Sequence, residues 1–109
     1  MGQHNAVLFF YMCLQFISER IKQRRAQMLI HSYIYYKLDD AIISDDLWQS
    51  YANELVTLQA RYTLPIGFYD AVFKDWDAST GYHLPADSWV IEKATYIIKL
   101  HSKLIKKHE

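Results

Sequence analysis

Residues 31–48 place three tyrosines, Tyr33, Tyr35 and Tyr36, close in sequence to a group of carboxylates. Aromatic rings can stack on a flat heterocycle, and carboxylates can accept hydrogen bonds from sugar hydroxyls. We therefore expect this stretch to form a pocket for a nucleotide or nucleoside rather than for a purely apolar guest.

Further side chains extend this candidate site in both directions along the chain. Asp45 and Trp48 lie one turn apart on the next predicted helix and share one face of it. His31 lies one turn before Tyr35, where it could donate a hydrogen bond to a phosphate. Arg24 is about 11 Å below His31 at 1.5 Å per residue, within reach of the distal phosphate of a large ligand. The predicted ligand-binding residues are Arg24, His31, Tyr33, Tyr35, Tyr36, Asp45 and Trp48.

Each of these residues also has an ordinary structural interpretation, which the sequence leaves open. The tyrosines can be core aromatics, and His31 can be a hydrogen-bonded core residue. Asp45 can simply satisfy the first backbone N–H groups of a helix. Arg24 belongs to a dense basic cluster, residues 20–25, which could be a solvated helix face or part of a nucleic-acid surface.

The order of these residues resembles the small N-terminal subdomain of bacterial NAD-dependent DNA ligases, over about residues 20–62. The matching pattern is His31-x-Tyr33-x-Tyr35-Tyr36-x-x-Asp39 followed by Ile43-Ser44-Asp45-x-x-Trp48. That subdomain grips the nicotinamide mononucleotide half of NAD. The resemblance implies contacts to the nicotinamide nucleotide from Tyr35, Tyr36, Asp45 and Trp48. The family usually has Tyr-Asp where this chain has Trp48-Gln49, and proline at Ala41, so one ligand-contacting carboxylate is missing.

The chain lacks the Lys-x-Asp-Gly nucleophile motif that the resemblance would require of a ligase. It resembles instead the stand-alone ligase-related small proteins of phages and prophages. We therefore expect a non-catalytic binding protein for a NAD-derived nucleotide of the nicotinamide mononucleotide or ADP-ribose type. If it is a phage anti-defence protein, such a binding protein would sequester a nucleotide immune signal. The alternatives are a helical protein–protein interaction module and an accessory factor of phage nucleic-acid metabolism.

Composition and residue spacing argue against several other classes of function. Twelve basic and twelve acidic residues cancel among 109, so neither nucleic acid nor a membrane is an expected partner. Cys13 is the only cysteine, which agrees with a cytoplasmic location, including that of a bacterial host. No metal site is expected because the histidines show no metal-ligand spacing, and neither a cofactor nor catalytic residues are expected. The apolar run Ala6 to Ile17 is shorter than the roughly twenty residues of a membrane span, so it predicts a buried or self-associating helix.

Periodicity predicts an all-α fold, a small single-domain helical bundle over residues 1–109. Residues 6–38 contain no proline or glycine and should form one long helix or two. Ser44 is a good N-cap for a second helix ending near Tyr62, and the short connection favours an antiparallel helical hairpin.

The remainder of the chain is predicted to be an aromatic-rich irregular segment followed by a helix. Residues 63–87 are punctuated by proline and glycine and leave room for one short helix over residues 68–75. The loop over residues 77–85 could fold over the tyrosines as a wall or lid. Asp87 or Ser88 can cap the C-terminal helix, predicted over residues 88–107.

Overall fold

The chain folds into four α-helices, as the all-α prediction requires. The structure, a computed structural model, describes the backbone of residues 2–108 and the side chains of residues 6–105, and this part contains no strand. The helices are α1 (Gly2–Lys37), α2 (Asp45–Arg61), α3 (Asp70–Phe73) and α4 (Ser88–His108).

The first helix is continuous over 36 residues, which resolves the choice between one helix and two. No proline or glycine interrupts it after Gly2, so nothing removes a hydrogen bond or bends it. Beyond Lys37 the backbone of Asp39 takes the left-handed conformation with φ 52°. The N–H of Asp40 then donates to the carbonyl of Ile34 at 3.1 Å, so the chain turns sharply away from the α1 axis.

The second helix begins at its predicted cap and runs antiparallel to α1. Ser44 Oγ accepts a hydrogen bond from the Leu47 N–H at 3.1 Å, which satisfies one of the free donors of the first turn. Trp48 near its start contacts Ser32, and Glu54 further along contacts Arg24, earlier in α1. This reversed order of contacts is that of the predicted helical hairpin.

The short third helix covers fewer residues than predicted. Tyr69 has a left-handed backbone with φ 56°, so the helix cannot extend toward residue 68. The Asp70 carboxylate accepts the N–H groups of Ile66 and Gly67 and forms an ion pair with Arg25 at 2.6 Å. The segment before α3 is therefore pinned to the middle of α1.

The last helix starts at the predicted cap, where Asp87 Oδ1 accepts the Val90 N–H at 3.0 Å. Its Ala94 packs with Ile30 and Ile34 of α1 in a small core cluster. The larger cluster joins α1, α2, α3 and α4 through Ile21, Met28, Leu29, Ala52, Leu55, Phe73, Ala78 and Val90. Because α1 packs against both α2 and α4, it is the central element of the fold. Within the described residues, no helix is both long enough and apolar enough to cross a membrane.

Candidate functional site

The tyrosine-rich end of α1, the start of α2 and the loop over residues 77–85 enclose a cavity of about 230 Å³. We call this cavity the junction pocket. Its lining residues are His31, Tyr35, Tyr36, Ala41, Ile42, Ile43, Asp45, Trp48, Gln49 and Ser79.

Helical spacing places the polar and aromatic groups of the pocket. His31 and Tyr35 are four residues apart on α1, and Asp45 and Trp48 are three residues apart on α2, so each pair shares one helix face. The rings of Tyr35 and Tyr36 are 4.8 Å apart at an interplanar angle of 87°. Because these rings are perpendicular, a flat ligand can stack on one of them and meets the other edge-on.

The loop over residues 77–85 forms a fixed wall of the pocket, one of its two predicted roles. The hydroxyls of Tyr36 and Thr80 are 3.0 Å apart, and the Tyr36 ring meets the Tyr82 ring edge-to-face at 5.5 Å. Gln49 Nε2 donates to the carbonyl of Ala78 at 3.2 Å. Ala78 holds a left-handed backbone with φ 68°, a conformation that costs about 1–2 kcal/mol for a residue other than glycine. The contacts to Tyr36 and Gln49 therefore hold a loop that is locally strained.

Close packing behind the pocket depends on Gly81. Trp48 Nε1 donates to Ser32 Oγ at 3.2 Å, and Gly81 lies directly against both side chains. A Cβ atom at Gly81 would overlap Ser32 Oγ and lie 2.7 Å from Ser32 Cβ and 3.2 Å from Trp48 Cζ2. Sequence reasoning missed Ser32, Ser79 and Gly81. The only available signal was a glycine within an otherwise aromatic segment.

The pocket has acidic character. Among the described residues that line it, Asp45 is the only side chain with a formal charge at neutral pH, and none is a lysine or an arginine. Burial lowers the pKa of His31, so its imidazole is neutral at pH 7, and its buried Nδ1 has no hydrogen-bond partner among the described residues. The Lys37 ammonium lies 5.3 Å from the centre of the Tyr82 ring, which contacts Tyr36, and so provides a cation near the rim.

Tyr33 and Arg24 do not line the junction pocket, so the structure does not bring them together with the other predicted ligand-binding residues. Tyr33 packs against both core clusters. Arg24 is only 6% exposed, donates to Glu54 Oε2 at 3.0 Å and lies 4.0 Å from the centre of the Tyr51 ring. These contacts occupy its guanidinium, which fixes α2 on α1.

The basic cluster around Arg24 is mostly engaged in ion pairs. Arg20 shares Glu54 with Arg24, and its hydrogen bond is the main cause that lowers the pKa of Glu54. Arg25, also 6% exposed, binds Gln59, the Phe68 carbonyl and Asp70. Neither a solvated helix face nor a nucleic-acid surface therefore describes the two buried arginines.

Among the described residues, no three His, Cys, Asp or Glu side chains come together in a group that could hold a metal ion. Comparison of the chain with protein-family models, with curated proteins and with solved structures finds no significant match.

Proposed function

We propose that the junction pocket binds a NAD-derived nucleotide, with nicotinamide mononucleotide as the preferred type. One observation carries the proposal: Tyr35, Tyr36, Asp45 and Trp48, the four residues that the ligase resemblance marks for nucleotide contact, line a single cavity. They come from two helices and meet only through the hairpin.

The charge of the pocket favours this ligand over an ADP-ribose compound. The oxidised nicotinamide ring is a cation, which an aromatic face and the Asp45 carboxylate both attract. An ADP-ribose ligand carries two phosphates, and no lysine or arginine among the described residues lines the cavity to neutralise them. The single phosphate of nicotinamide mononucleotide can remain at the rim, near Lys37.

The size of the pocket leads to the same choice. Its 230 Å³ lies below the roughly 300–1,000 Å³ of pockets that enclose drug-sized ligands. A ring and one ribose fit such a volume better than a dinucleotide does. Asp45 accepts hydrogen bonds from the ribose hydroxyls in this arrangement. The Nε2 atom of His31 is available for a hydrogen bond to the ligand.

Gln49 has a different role from the carboxylate that the ligase family has at this position. Its amide nitrogen donates to Asn53 Oδ1 and to the Ala78 carbonyl, so the side chain ties α2 to the pocket wall. Its amide oxygen can still accept a hydroxyl but adds no negative charge. We therefore expect weaker binding than a site with two carboxylates would give.

We propose binding without catalysis. The proposal is supported by His31, whose buried Nδ1 makes no hydrogen bond within the described residues to a hydroxyl or thiol that it could activate. Such a binder acts by sequestering, sensing or delivering its ligand. Sequestering an immune signal, as a phage protein would, requires nanomolar affinity, about 12 kcal/mol. One stacked ring contributes only about 0.5–1.5 kcal/mol beyond its burial, so we expect micromolar binding by a single subunit.

Isothermal titration calorimetry with nicotinamide mononucleotide, NAD, ADP-ribose and cyclic ADP-ribose tests this function. We expect the mononucleotide to bind most tightly, and Tyr35→Ala or Asp45→Asn to weaken it at least tenfold. Asp46→Asn is the matched control, because Asp46 is the neighbouring carboxylate in the first turn of α2 but does not line the pocket. No heat with any of the four nucleotides, or equal effects of the two asparagine variants, would contradict the proposal.

The second candidate is a helical interaction module, favoured by a separate observation. The first part of α1 exposes large apolar side chains to solvent, among them Phe9 at 69% and Phe16 at 73%. Exposed apolar patches of this kind mark contact surfaces. This candidate predicts no nucleotide binding and a partner that is lost when the exposed residues are made polar. The nucleic-acid alternative gains no such support, because Arg24 and Arg25 are buried in ion pairs.

A further inference from the structure

The first part of α1 is apolar, and among the described residues most of it packs against no other part of the chain. We call residues 6–17 the arm. Seven of its large side chains are between 55% and 73% exposed: Val7, Leu8, Phe9, Phe10, Tyr11, Met12 and Phe16. Six of them are consecutive and so cover every side of the helix. A helix that is apolar on all sides is normally buried, so the arm requires a covering surface.

The second half of α4 presents another uncovered apolar surface. Tyr96, Leu100 and Leu104 are spaced by four residues and form one stripe, with Ile105 beside it. All four are between 42% and 60% exposed. We call these four residues the α4 face. It extends beyond the contact of α4 with Ile34, which lies only three residues before the end of α1.

The arm and the α4 face lie at opposite ends of the molecule. The start of α4 contacts the segment pinned to the middle of α1, since the Trp89 ring meets the Phe68 ring edge-to-face and the Phe68 carbonyl binds Arg25. Further along, Ala94 meets Ile30 and Ile34, so α4 runs in the same direction as α1. The arm thus precedes the shared body and the α4 face follows it, in a molecule 56 Å long.

We infer that a second copy of the chain covers both surfaces, in a two-fold dimer where the arm of each subunit packs on the α4 face of the other. A two-fold axis across the molecule exchanges its two ends, so one operation forms both contacts and leaves no open end. From Ala6 to Ile17 the arm rises about 17 Å, and the α4 face spans about 14 Å, so the arm is long enough to cover it. The two helices then lie antiparallel, with the positive end of one dipole beside the negative end of the other.

Charge disfavours the pairing of two α4 faces. The arm carries no lysine, arginine, aspartate or glutamate between Gly2 and Ser18. Lys93, Lys99 and Lys103 flank the α4 face. Two α4 faces in contact would bring these lysines together, whereas an uncharged arm avoids that repulsion.

The available area is that of a stable dimer. Aromatic side chains bury roughly 150–250 Å² each when fully covered. The exposed parts of the arm side chains together offer on the order of 800 Å², and one α4 face covers only one side of the arm. Each subunit buries that side together with its own α4 face, which brings the total toward the roughly 800 Å² that each partner of a standard-size interface buries. No residue of the arm or of the α4 face lines the junction pocket. The dimer can therefore be tested separately from nucleotide binding.

The first test is the mass of the wild-type protein by sedimentation velocity from about 1 to 100 µM. We expect the wild type to be a dimer. Either Phe9→Lys or Leu104→Glu should raise the dissociation constant of the dimer at least thirtyfold. Both side chains are exposed in the single subunit, at 69% and 59%, so circular dichroism should show unchanged helix content. Thr57→Glu, at an exposed position of α2, is the control that should remain dimeric.

Mixing the Phe9→Lys and Leu104→Glu variants tests the reciprocal arrangement itself. The mixed dimer contains one native contact and one contact in which lysine faces glutamate, so the mixture should dimerise although each variant alone does not. A monomeric or larger-than-dimeric wild type would overturn the inference. So would a Leu104→Glu variant that stays dimeric, because that result is expected when two arms pair with each other.

Discussion

Replacing Gly81 by alanine should damage the fold and the junction pocket together. The new methyl group would overlap Ser32 Oγ, lie 2.7 Å from Ser32 Cβ and lie 3.2 Å from Trp48 Cζ2. Ser32 is fixed on the buried side of α1, at 2% exposure, so it cannot simply turn away into solvent. The overlap therefore forces the loop over residues 77–85 outward and also breaks the hydrogen bond between Trp48 and Ser32.

The cost follows from these two outcomes. Overpacking a close contact costs about 1–3 kcal/mol, and losing a partly buried hydrogen bond adds about 1 kcal/mol. We therefore expect Gly81→Ala to lower the free energy of unfolding by about 2–4 kcal/mol. Because the loop is a wall of the pocket, nucleotide affinity should also fall, at least tenfold.

Urea denaturation of a double-mutant cycle checks this reasoning. Ser32→Ala alone should cost about 1 kcal/mol, since it removes the acceptor of the Trp48 indole. Combined with Gly81→Ala it removes the worst overlap, so the double variant should be at least 1 kcal/mol more stable than the sum of the single effects predicts. Additive effects, or a Gly81→Ala variant as stable as the wild type, would refute the described packing of the wall.

Four further predictions concern charge and backbone geometry. Burial lowers the pKa of His31 below its usual 6.5, so as the pH falls the imidazole is protonated in the unfolded chain before it is protonated in the folded chain. The melting temperature should therefore fall as the pH drops below 6.5. Melting curves from pH 7.5 to 5 should show a weaker pH dependence for His31→Gln, and an identical dependence would contradict the buried imidazole. Gly67→Ala should cost about 1 kcal/mol in urea denaturation through its φ of 75° alone, because no atom lies within 4 Å of the added methyl, and a neutral effect would contradict that backbone. Asp39→Gly, at φ 52°, should stabilise by up to about 1 kcal/mol in the same assay, and a loss would contradict it. Arg24→Leu should destabilise by about 2 kcal/mol by breaking its partly buried pair with Glu54, while calorimetry should find nucleotide affinity changed less than twofold; a tenfold loss in a folded variant would restore Arg24 to the binding site.

Local features of the sequence predicted much of the fold. The absence of proline and glycine predicted one long helix or two over residues 6–38. Ser44, and either Asp87 or Ser88, were expected to be caps because their side chains can accept the first helical N–H groups, and the structure shows Ser44 and Asp87 doing so. The all-α class follows from such signals. The extent of α3 did not, because the left-handed backbone of Tyr69 is set by its surroundings rather than by its own preference.

The site was only partly accessible from the sequence, for a related reason. Spacing within one helix correctly placed His31 with Tyr35 and Asp45 with Trp48, since those neighbours are fixed by 3.6 residues per turn. Arg24 shares that face by spacing alone, but Glu54 on α2 engages its guanidinium. Such contacts between helices leave no periodic trace.

The back wall of the pocket illustrates the same limit. Ser32 and Gly81 are 49 positions apart and meet only in the tertiary fold. The aromatic segment was expected to cover the tyrosines because it is rich in rings and turns. Nothing in its composition identified Gly81 as the residue that allows close approach.

The most direct measurement of nucleotide binding is a ¹H–¹⁵N titration that follows the indole N–H signals of the three tryptophans. Trp48 lines the junction pocket, Trp76 contacts Trp48 with its ring centre 6.1 Å away, and Trp89 packs on Phe68 outside the pocket. We predict that nicotinamide mononucleotide shifts the Trp48 signal saturably, moves the Trp76 signal less and leaves the Trp89 signal in place, and that this response is greatly weakened in Asp45→Asn. A Trp48 signal that stays unchanged at millimolar nucleotide, or equal shifts at all three indoles, would contradict it.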